Sequence, residues 1–491
     1  MFTSNIDSLF SYLPELMVLL TILSVFLMES ISKYRSLTFV TTVIGLVFSA
    51  LLLFVTNSVD IPLFQGMIVH DSFSIYFKWF ILLSTLSIVL VSRDDNSVME
   101  SVKGEYYGML LIIMLGMFTM VSARNLLMVY LAIEMVSIPS YIIAGISNND
   151  KESNEASLKY VIYGSFASGI MLFGLSILYG VAGSMDITTV AIAVKSFDSS
   201  LTIYIAMLFI LVGFGYKISM VPFHYWTPDV YQGAPITVAA FLSVAPKAAG
   251  FAILIRFFYS IFTAGPPSMA ENYEILGLDW TQLIAVMSAL TMTVGNILAL
   301  KQTNIKRLLA YSSISHVGFM LIGFSIISVD SIASIMFYLF FYLFMNLGAF
   351  YMAIYMSNAY NAEDIDDWAG IGKKVPVLSF FMVLSLASLA GLPPTSGFVS
   401  KVYILRNLFS EQQFMWLAVV AIINTVISLY YYFKIVKAMY FIENDDLEKK
   451  SCNPILYWSM IIFSIQNIFF YFYWAKIWDA FVSLVTNFKV V

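Results

Sequence analysis

Leu201-Thr-Ile-Tyr-Ile-Ala-Met-Leu-Phe-Ile-Leu-Val-Gly-Phe-Gly-Tyr-Lys-Ile-Ser-Met-Val-Pro222 is an apolar run long enough to cross a bilayer, yet it carries Lys217 and closes on a proline. A plain membrane anchor would reject both. Pro222, with Gly213 and Gly215 close by, predicts a broken helix. In a bilayer, backbone groups freed by a break are tolerated only where protein covers them or a hydrated cavity receives them, and transport proteins place ion sites there. The pattern recurs at Pro393-Pro394 between Gly391 and Gly397, and Pro246 interrupts the run 236–260. Val221-Pro222 precedes Val230-Tyr231 much as Leu392-Pro393 precedes Val402-Tyr403, a faint sign of a duplicated plan.

The rest of the chain has the same character. Of 491 residues 60% are hydrophobic and only 11% charged, against about a quarter charged in an ordinary soluble domain. That charge cannot coat a water-soluble globule of this size. Apolar runs at 12–28, 37–56, 74–92, 106–122, 125–145, 159–182, 202–221, 236–260, 281–300, 308–327, 331–357, 376–402, 413–437 and 455–485 predict an all-α polytopic membrane protein with about 14 transmembrane helices. The polar stretches between them, such as Asn148-Asn149-Asp150-Lys151-Glu152 and Glu443 to Lys450, are too short to fold alone, so no nucleotide-binding domain fits. Lysine and arginine concentrate in the connections after odd-numbered runs, led by Lys33, Arg35, Lys301, Lys306, Arg307, Lys373, Lys374, Lys449 and Lys450. The positive-inside rule places those connections in the cytoplasm, or in the matrix of a mitochondrion, with both termini outside.

Composition also removes several functions. A net charge of −5 without a basic face gives no reason to expect nucleic acid as a partner. Cys452 is the single cysteine, so an internal disulfide, an iron–sulfur cluster or a cysteine zinc site is excluded within the chain. His70, His224 and His316 are too widely separated for a local metal motif. Gly370-Ile-Gly-Lys-Lys374 lacks the spacing of a phosphate-binding loop.

Four ionisable residues stand out within the runs. Glu134 is in mid-run, Lys217 near one end of the seventh, Lys247 directly after Pro246 in the eighth, and Lys401 at the end of the broken twelfth. Each intramembrane charge costs about 2.5–3.5 kcal/mol on insertion scales. Snorkelling is an ordinary explanation for Lys401, and a structural ion pair for Glu134 with Lys217. A lysine brought to and separated from a carboxylate is equally a proton switch. His224 is either a surface relay or a loop-packing hydrogen bond. His316, beside Tyr311, Ser312, Ser313 and Ser315, lies on a polar stripe that suits water or helix–helix hydrogen bonding. Glu155 and Lys159, four apart, read as an interfacial pair.

The stretch Lys217-Ile-Ser-Met-Val-Pro-Phe-His-Tyr-Trp-Thr-Pro-Asp-Val-Tyr-Gln-Gly-Ala-Pro235, with Phe241-Leu-Ser-Val-Ala-Pro-Lys247, closely resembles the antiporter-like subunit N of respiratory complex I, the counterpart of mitochondrial NADH dehydrogenase subunit 2. The likeness extends through Asn154-Glu-Ala-Ser-Leu-Lys-Tyr160, Lys306-Arg-Leu-Leu-Ala-Tyr-Ser-Ser-Ile-Ser-His316 and Ala390-Gly-Leu-Pro-Pro-Thr-Ser-Gly-Phe398. It implies two inverted five-helix repeats with broken helices 7 and 12. The divisions would be an N-terminal three-helix segment 1–100, a first repeat 101–262 (spans 4–8), a second 263–440 (spans 9–13) and a C-terminal helix in 441–491.

The resemblance also implies a proton relay of Glu134, Lys217, Lys247 and Lys401, with His224, His316, Lys159 and Glu155 in secondary positions. This chain would hold no cofactor. NAD, FMN, Fe-S clusters and quinone would belong to partner subunits of the membrane and peripheral arms, including neighbouring antiporter-like and small membrane subunits in the lipid bilayer. The location implied is the bacterial cytoplasmic (inner) membrane or the mitochondrial inner membrane. A subunit of a multi-subunit Na+/H+ antiporter, a ferredoxin-driven relative and an inert scaffold bundle are the competing readings.

Overall fold

The computed structural model describes residues 5–31, 36–56, 59–147, 150–197, 199–263, 274–275, 278–444 and 448–486. Asn148, Asn149, Asp445 to Leu447, Lys33 and Arg35 of the polar connections lie outside these. Nineteen helices carry almost the whole described chain. They are α1 (Asn5–Ser11), α2 (Leu13–Ser30), α3 (Thr38–Val55), α4 (Ser72–Ser92), α5 (Lys103–Ser122), α6 (Leu126–Ala144), α7 (Lys151–Ala182), α8 (Ile187–Ser196), α9 (Ser200–Ile218) and α10 (Trp226–Gly233). Then follow α11 (Ile236–Phe262), α12 (Trp280–Leu300), α13 (Ile305–Phe324), α14 (Val329–Tyr360), α15 (Ile371–Lys374), α16 (Pro376–Ala390), α17 (Ser396–Ser410), α18 (Met415–Phe441) and α19 (Pro454–Thr486).

Among the described residues, thirteen helices are long and apolar enough to cross a membrane. The one remaining expected span, the twelfth, is present as two short helices, α16 and α17, because Pro393-Pro394 splits it. The seventh is split likewise into α9 and α10. Both breaks begin with a left-handed residue that folds back on the helix just ended. The Ser219 N–H bonds the Tyr216 carbonyl at φ 66°, and the Gly391 N–H bonds those of Ala387 and Ser388 at φ 81°. A cis X-Pro bond follows in each, Val221-Pro222 and Pro393-Pro394.

Helix starts follow from local chemistry. Asp71 accepts from the Ser74 N–H at 2.8 Å while the Ser74 hydroxyl receives the Asp71 N–H at 3.1 Å, a reciprocal cap on α4. Asn125, Asp150, Asp186, Asn304 and Ser328 cap α6, α7, α8, α13 and α14 through their side-chain oxygens.

The connections alternate between the two ends of the bundle. At one end the hairpin β1 (Val59–Leu63) with β2 (Ile68–His70) bridges to Ala123, and Asn125 bridges to Asp186. At the other, Asn304 bridges to Asp364, and the Asn358 and Asn453 amides converge on Asp94. The short strands β3 (Glu274–Ile275) and β4 (Leu278–Asp279) pair just before α12.

Packing within α5–α11 is repeated in α12–α18. Helix α6 lies on α5 and α7, α7 on α9 and α10, and α11 on α5 and α9; correspondingly α13 lies on α12 and α14, α14 on α16 and α17, and α18 on α12 and α16. Because five crossings separate equivalent helices, the two sets run in opposite senses. Every residue of α11 is buried, and α13 and α14 are nearly so. The outward faces of α3, α7, α18 and α19 expose Phe54, Phe166, Val426 and Phe472, as lipid-facing surfaces do. Neither the amphipathic α8 nor the β1–β2 hairpin is signalled by hydropathy, because each is shorter than a span.

Candidate proton relay

The site is built from the two breaks and from side chains on α6, α11, α13, α14 and α18. On α6, Glu134 and Ser137 are one turn apart on the same face. Lys217, in the last turn of α9 before its break, donates from Nζ to Ser137 Oγ at 3.0 Å. No ion pair joins it to Glu134 among the described residues, so the structural pair considered from sequence is not formed. The Glu134 Oε1 atom is buried without a hydrogen-bond partner.

Lys217 also packs on α11. A β-carbon built at Gly250 would meet the Ile218 side chain at 2.6 Å and Lys217 Cγ at 3.7 Å, so the glycine lets α9 approach the turn after Lys247. Lys247 donates to Ser313 Oγ at 2.5 Å, and the Tyr342 hydroxyl donates to the same oxygen at 2.9 Å. The Lys247 ammonium lies 5.8 Å from the centre of the Tyr231 ring on α10.

Helix α13 carries the polar row onward. His316, one turn beyond Ser312 and Ser313, contacts the Tyr338 hydroxyl through Nδ1 at 2.6 Å and the Tyr432 hydroxyl through Nε2 at 3.2 Å. Ser312 bonds Tyr432 as well. One turn further, the Phe319 ring lies beneath the Lys401 ammonium at 4.7 Å. Lys401 donates to the carbonyls of Leu389 and Ala390 at 3.2 and 3.0 Å, the acceptors freed by the break after α16. From Ser313 to Phe319 is six residues, about 9 Å of helix rise, so α13 is a rail joining Lys247 to Lys401.

The remaining candidates fall elsewhere. Lys159 binds Glu155 at 2.7 Å, as its spacing suggests, but also Asp229 at 2.6 Å, and Arg307 binds the other Asp229 oxygen at 2.6 Å. This half-exposed cluster ties α7, α10 and α13 around a cleft of about 210 Å³ lined by Glu152, Glu155, Gln232 and Arg307. His224 lies in the first break, its ring centre 4.5 Å from that of Tyr225 and tilted 32° to it, with Nδ1 buried and unpartnered. The imidazole hydrogen-bonds the Pro222 backbone within the same break.

Sequence reading missed a second set of buried charges. Lys78 on α4 binds Glu15 on α2 at 2.6 Å and lies 3.1 Å from His70 Nδ1. Arg256 on α11 grips both Asp71 oxygens, at 2.9 and 2.8 Å. The signal was available: Glu15, Lys78 and Arg256 all sit in apolar runs, as Glu134 does. Among the described residues no group of three His, Cys, Asp or Glu could hold a metal ion.

Comparison with known proteins agrees with this architecture. The family described as NADH:quinone oxidoreductase/Mrp antiporter, TM matches residues 123–428. NADH-quinone oxidoreductase subunit N 2 of Chloroherpeton thalassium is 42% identical over 445 residues, covering 89% of this chain and 86% of that protein. A chain of respiratory complex I from Thermus thermophilus superposes with a TM-score of 0.77 at 26% identity, over 95% of this chain and 99% of that one. A chain of the Mrp complex of Dietzia sp. DQ12-45-1b, 18% identical with a TM-score of 0.79 over 98% of this chain and 97% of its own, shares the fold. The chain belongs to the subunit N family of NADH-quinone oxidoreductases, within the wider NADH:quinone oxidoreductase/Mrp antiporter membrane family.

Proposed function

We propose that the chain is a proton-translocating membrane-arm subunit of a complex I-type NADH:quinone oxidoreductase in a bacterial cytoplasmic membrane. In this reading NAD, FMN, Fe-S clusters and quinone are held by partner subunits, and redox events there drive the relay here. Residues 101–262 and 263–440 are its two repeats, flanked by the segment 1–100 and the helix within 441–491.

One observation carries the proposal. Lys217, Lys247 and Lys401 are each buried, at 3%, 1% and 5% exposure, and each is held by neutral oxygen acceptors, a hydroxyl or a carbonyl. An ammonium held in this way loses its proton without stranding a buried carboxylate beside it, whereas a lysine in a tight ion pair does not. Serine and tyrosine hydroxyls both donate and accept, so Ser313 with Tyr342, and Ser312, Tyr432, His316 and Tyr338, give a proton two hydrogen-bonded groups of steps along α13 between Lys247 and the Phe319 ring on which Lys401 rests. Glu134, one turn from the serine that holds Lys217, is the group that draws that ammonium away from its hydroxyl when the two approach. The work is substantial, since one charge moved through the membrane potential requires about 2.3 kcal/mol per 100 mV.

The test is NADH-driven acidification of vesicles by the intact complex carrying Lys217→Ala. The reading requires pumping to be lost while the complex stays assembled. Normal pumping by an assembled mutant complex would refute the role.

A further inference from the structure

Helix α11 is pinned at both ends by the same neighbour. Near its start, the Thr237 hydroxyl donates to Asp95 Oδ2 at 2.6 Å and receives the Tyr106 hydroxyl at 3.1 Å. Near its finish, Arg256 forks onto Asp71 and donates from Nε to the Val121 carbonyl at 3.1 Å. Asp71 caps the first turn of α4, and Asp95 follows its last turn, three residues beyond Ser92. Two aspartates at opposite ends of one membrane-crossing helix thus hold opposite ends of another.

What lies between these pins is the weakest turn of α11 and its most important side chain. Pro246 has no N–H, so the Leu242 carbonyl loses its helical partner one residue before Lys247. Lys247 stands ten residues after Thr237 and nine before Arg256. A slip of α11 by one residue is about 1.5 Å along its axis with a turn of about 100°, which aims Lys247 away from Ser313. Burial alone would push the Asp71 carboxyl up, but the Arg256 guanidinium and the Ser74 hydrogen bonds outweigh it and hold Asp71 below the usual carboxylate range. The outer pin is therefore an ionised, two-pronged contact, the kind that fixes geometry as well as charge.

We propose that α4 is a strut for the relay: Asp71 and Asp95 fix the two halves of α11 through Arg256 and Thr237, and so set where the Lys247 ammonium meets Ser313. These four are positioning residues, and the segment 1–100 acquires through them a part in proton transfer. The inference rests on the relay reading above.

The experiment uses the intact complex in vesicles and reads protons pumped per NADH oxidised, across a range of pH, alongside the amount of assembled complex. Arg256→Lys keeps the charge and loses the fork; Thr237→Val loses the other pin. Each is expected to assemble, to lower the proton ratio by up to about tenfold as a small misplacement does, and to move the pH optimum of pumping. A purely structural contact would lower the yield of complex and leave ratio and pH profile of what assembles unchanged, and that result in both single variants overturns the strut. Lys247→Ala serves as the control: if it pumps normally the relay reading itself fails, and if it is inactive while Arg256→Lys and Thr237→Val are normal, only the strut fails. Should Arg256→Lys not assemble, Thr237→Val decides alone.

Discussion

Lys78 and Lys247 are equally deep, each 1% exposed, and their surroundings are opposite. Lys78, in the N-terminal three-helix segment, is clasped by the Glu15 carboxylate and the His70 ring. Lys247, in the middle of α11, touches a serine hydroxyl and an aromatic face. Arg256 with Asp71 follows the first pattern, and Lys217 and Lys401 the second. Charges that must stay put are paired with an opposite charge. Charges proposed to come and go are held by groups that stay neutral whether the lysine is protonated or not.

This contrast can be broken from either side. The largest effect is expected at the clasped lysine. Removing one member of a buried ion pair costs about 3–5 kcal/mol, whereas replacing both by apolar groups is close to neutral. Lys78→Met alone should therefore deplete the assembled complex, as measured on native gels, and Glu15→Gln with Lys78→Met should restore it. Equal loss in single and double variants would mean that Lys78 is not held mainly by its partner.

At the second break, Gly391 has φ 81°, and a β-carbon there would press on the Lys401 side chain at 2.8 Å. Gly391→Ala should assemble with reduced pumping, since a non-glycine residue in this conformation costs about 1–2 kcal/mol and Lys401 must move. Unchanged proton ratios would show that the position of Lys401 is not critical. An effect of comparable size is expected for Ser313→Ala, which removes an acceptor shared by Lys247 and Tyr342. A hydrogen bond to a charged group contributes about 1.5–3 kcal/mol, so pumping should fall while NADH oxidation by uncoupled membranes persists. If both fall together, the serine supports the fold and not the transfer.

The smallest effect concerns acid. Burial, with the Lys78 ammonium next to it, pushes His70 down to about 3, and an unfolded histidine titrates near 6.5. Between those values the unfolded chain binds the additional proton, so the folded state loses stability as pH falls through that window. Thermal inactivation of the purified complex at about pH 5 relative to about pH 7 should be less acid-sensitive in His70→Asn than in the parent. Identical acid sensitivity would argue that His70 is not buried in its neutral form.

Much of this was legible before any coordinates. Hydropathy placed all fourteen spans, and Pro222 and Pro393 placed both breaks, where the chain also turns left-handed at Ser219 and Gly391; Pro246, where a break was expected on the same ground, leaves α11 continuous. The proposed relay residues were visible as charges in runs that should exclude them. Partner choice was not legible. Nothing in sequence spacing says that Lys217 meets Ser137 and not Glu134, or that Arg307 and Lys159 share Asp229, since those contacts depend on how separate helices are rotated against one another. Lys78 and Arg256 could have been found by the rule that found Lys247, but their function as clasps appears only when Glu15 and Asp71 are seen opposite them.

The most direct measurement sets the two regions side by side: protons pumped per NADH oxidised by the assembled complex carrying Lys217→Ala, and by the complex carrying Glu15→Gln with Lys78→Met. The account predicts a ratio near background in the first and near the parental value in the second. Parental pumping in the first, with loss in the second, would contradict it, and would place the moving charge in the clasped pair instead of the neutral-held lysines.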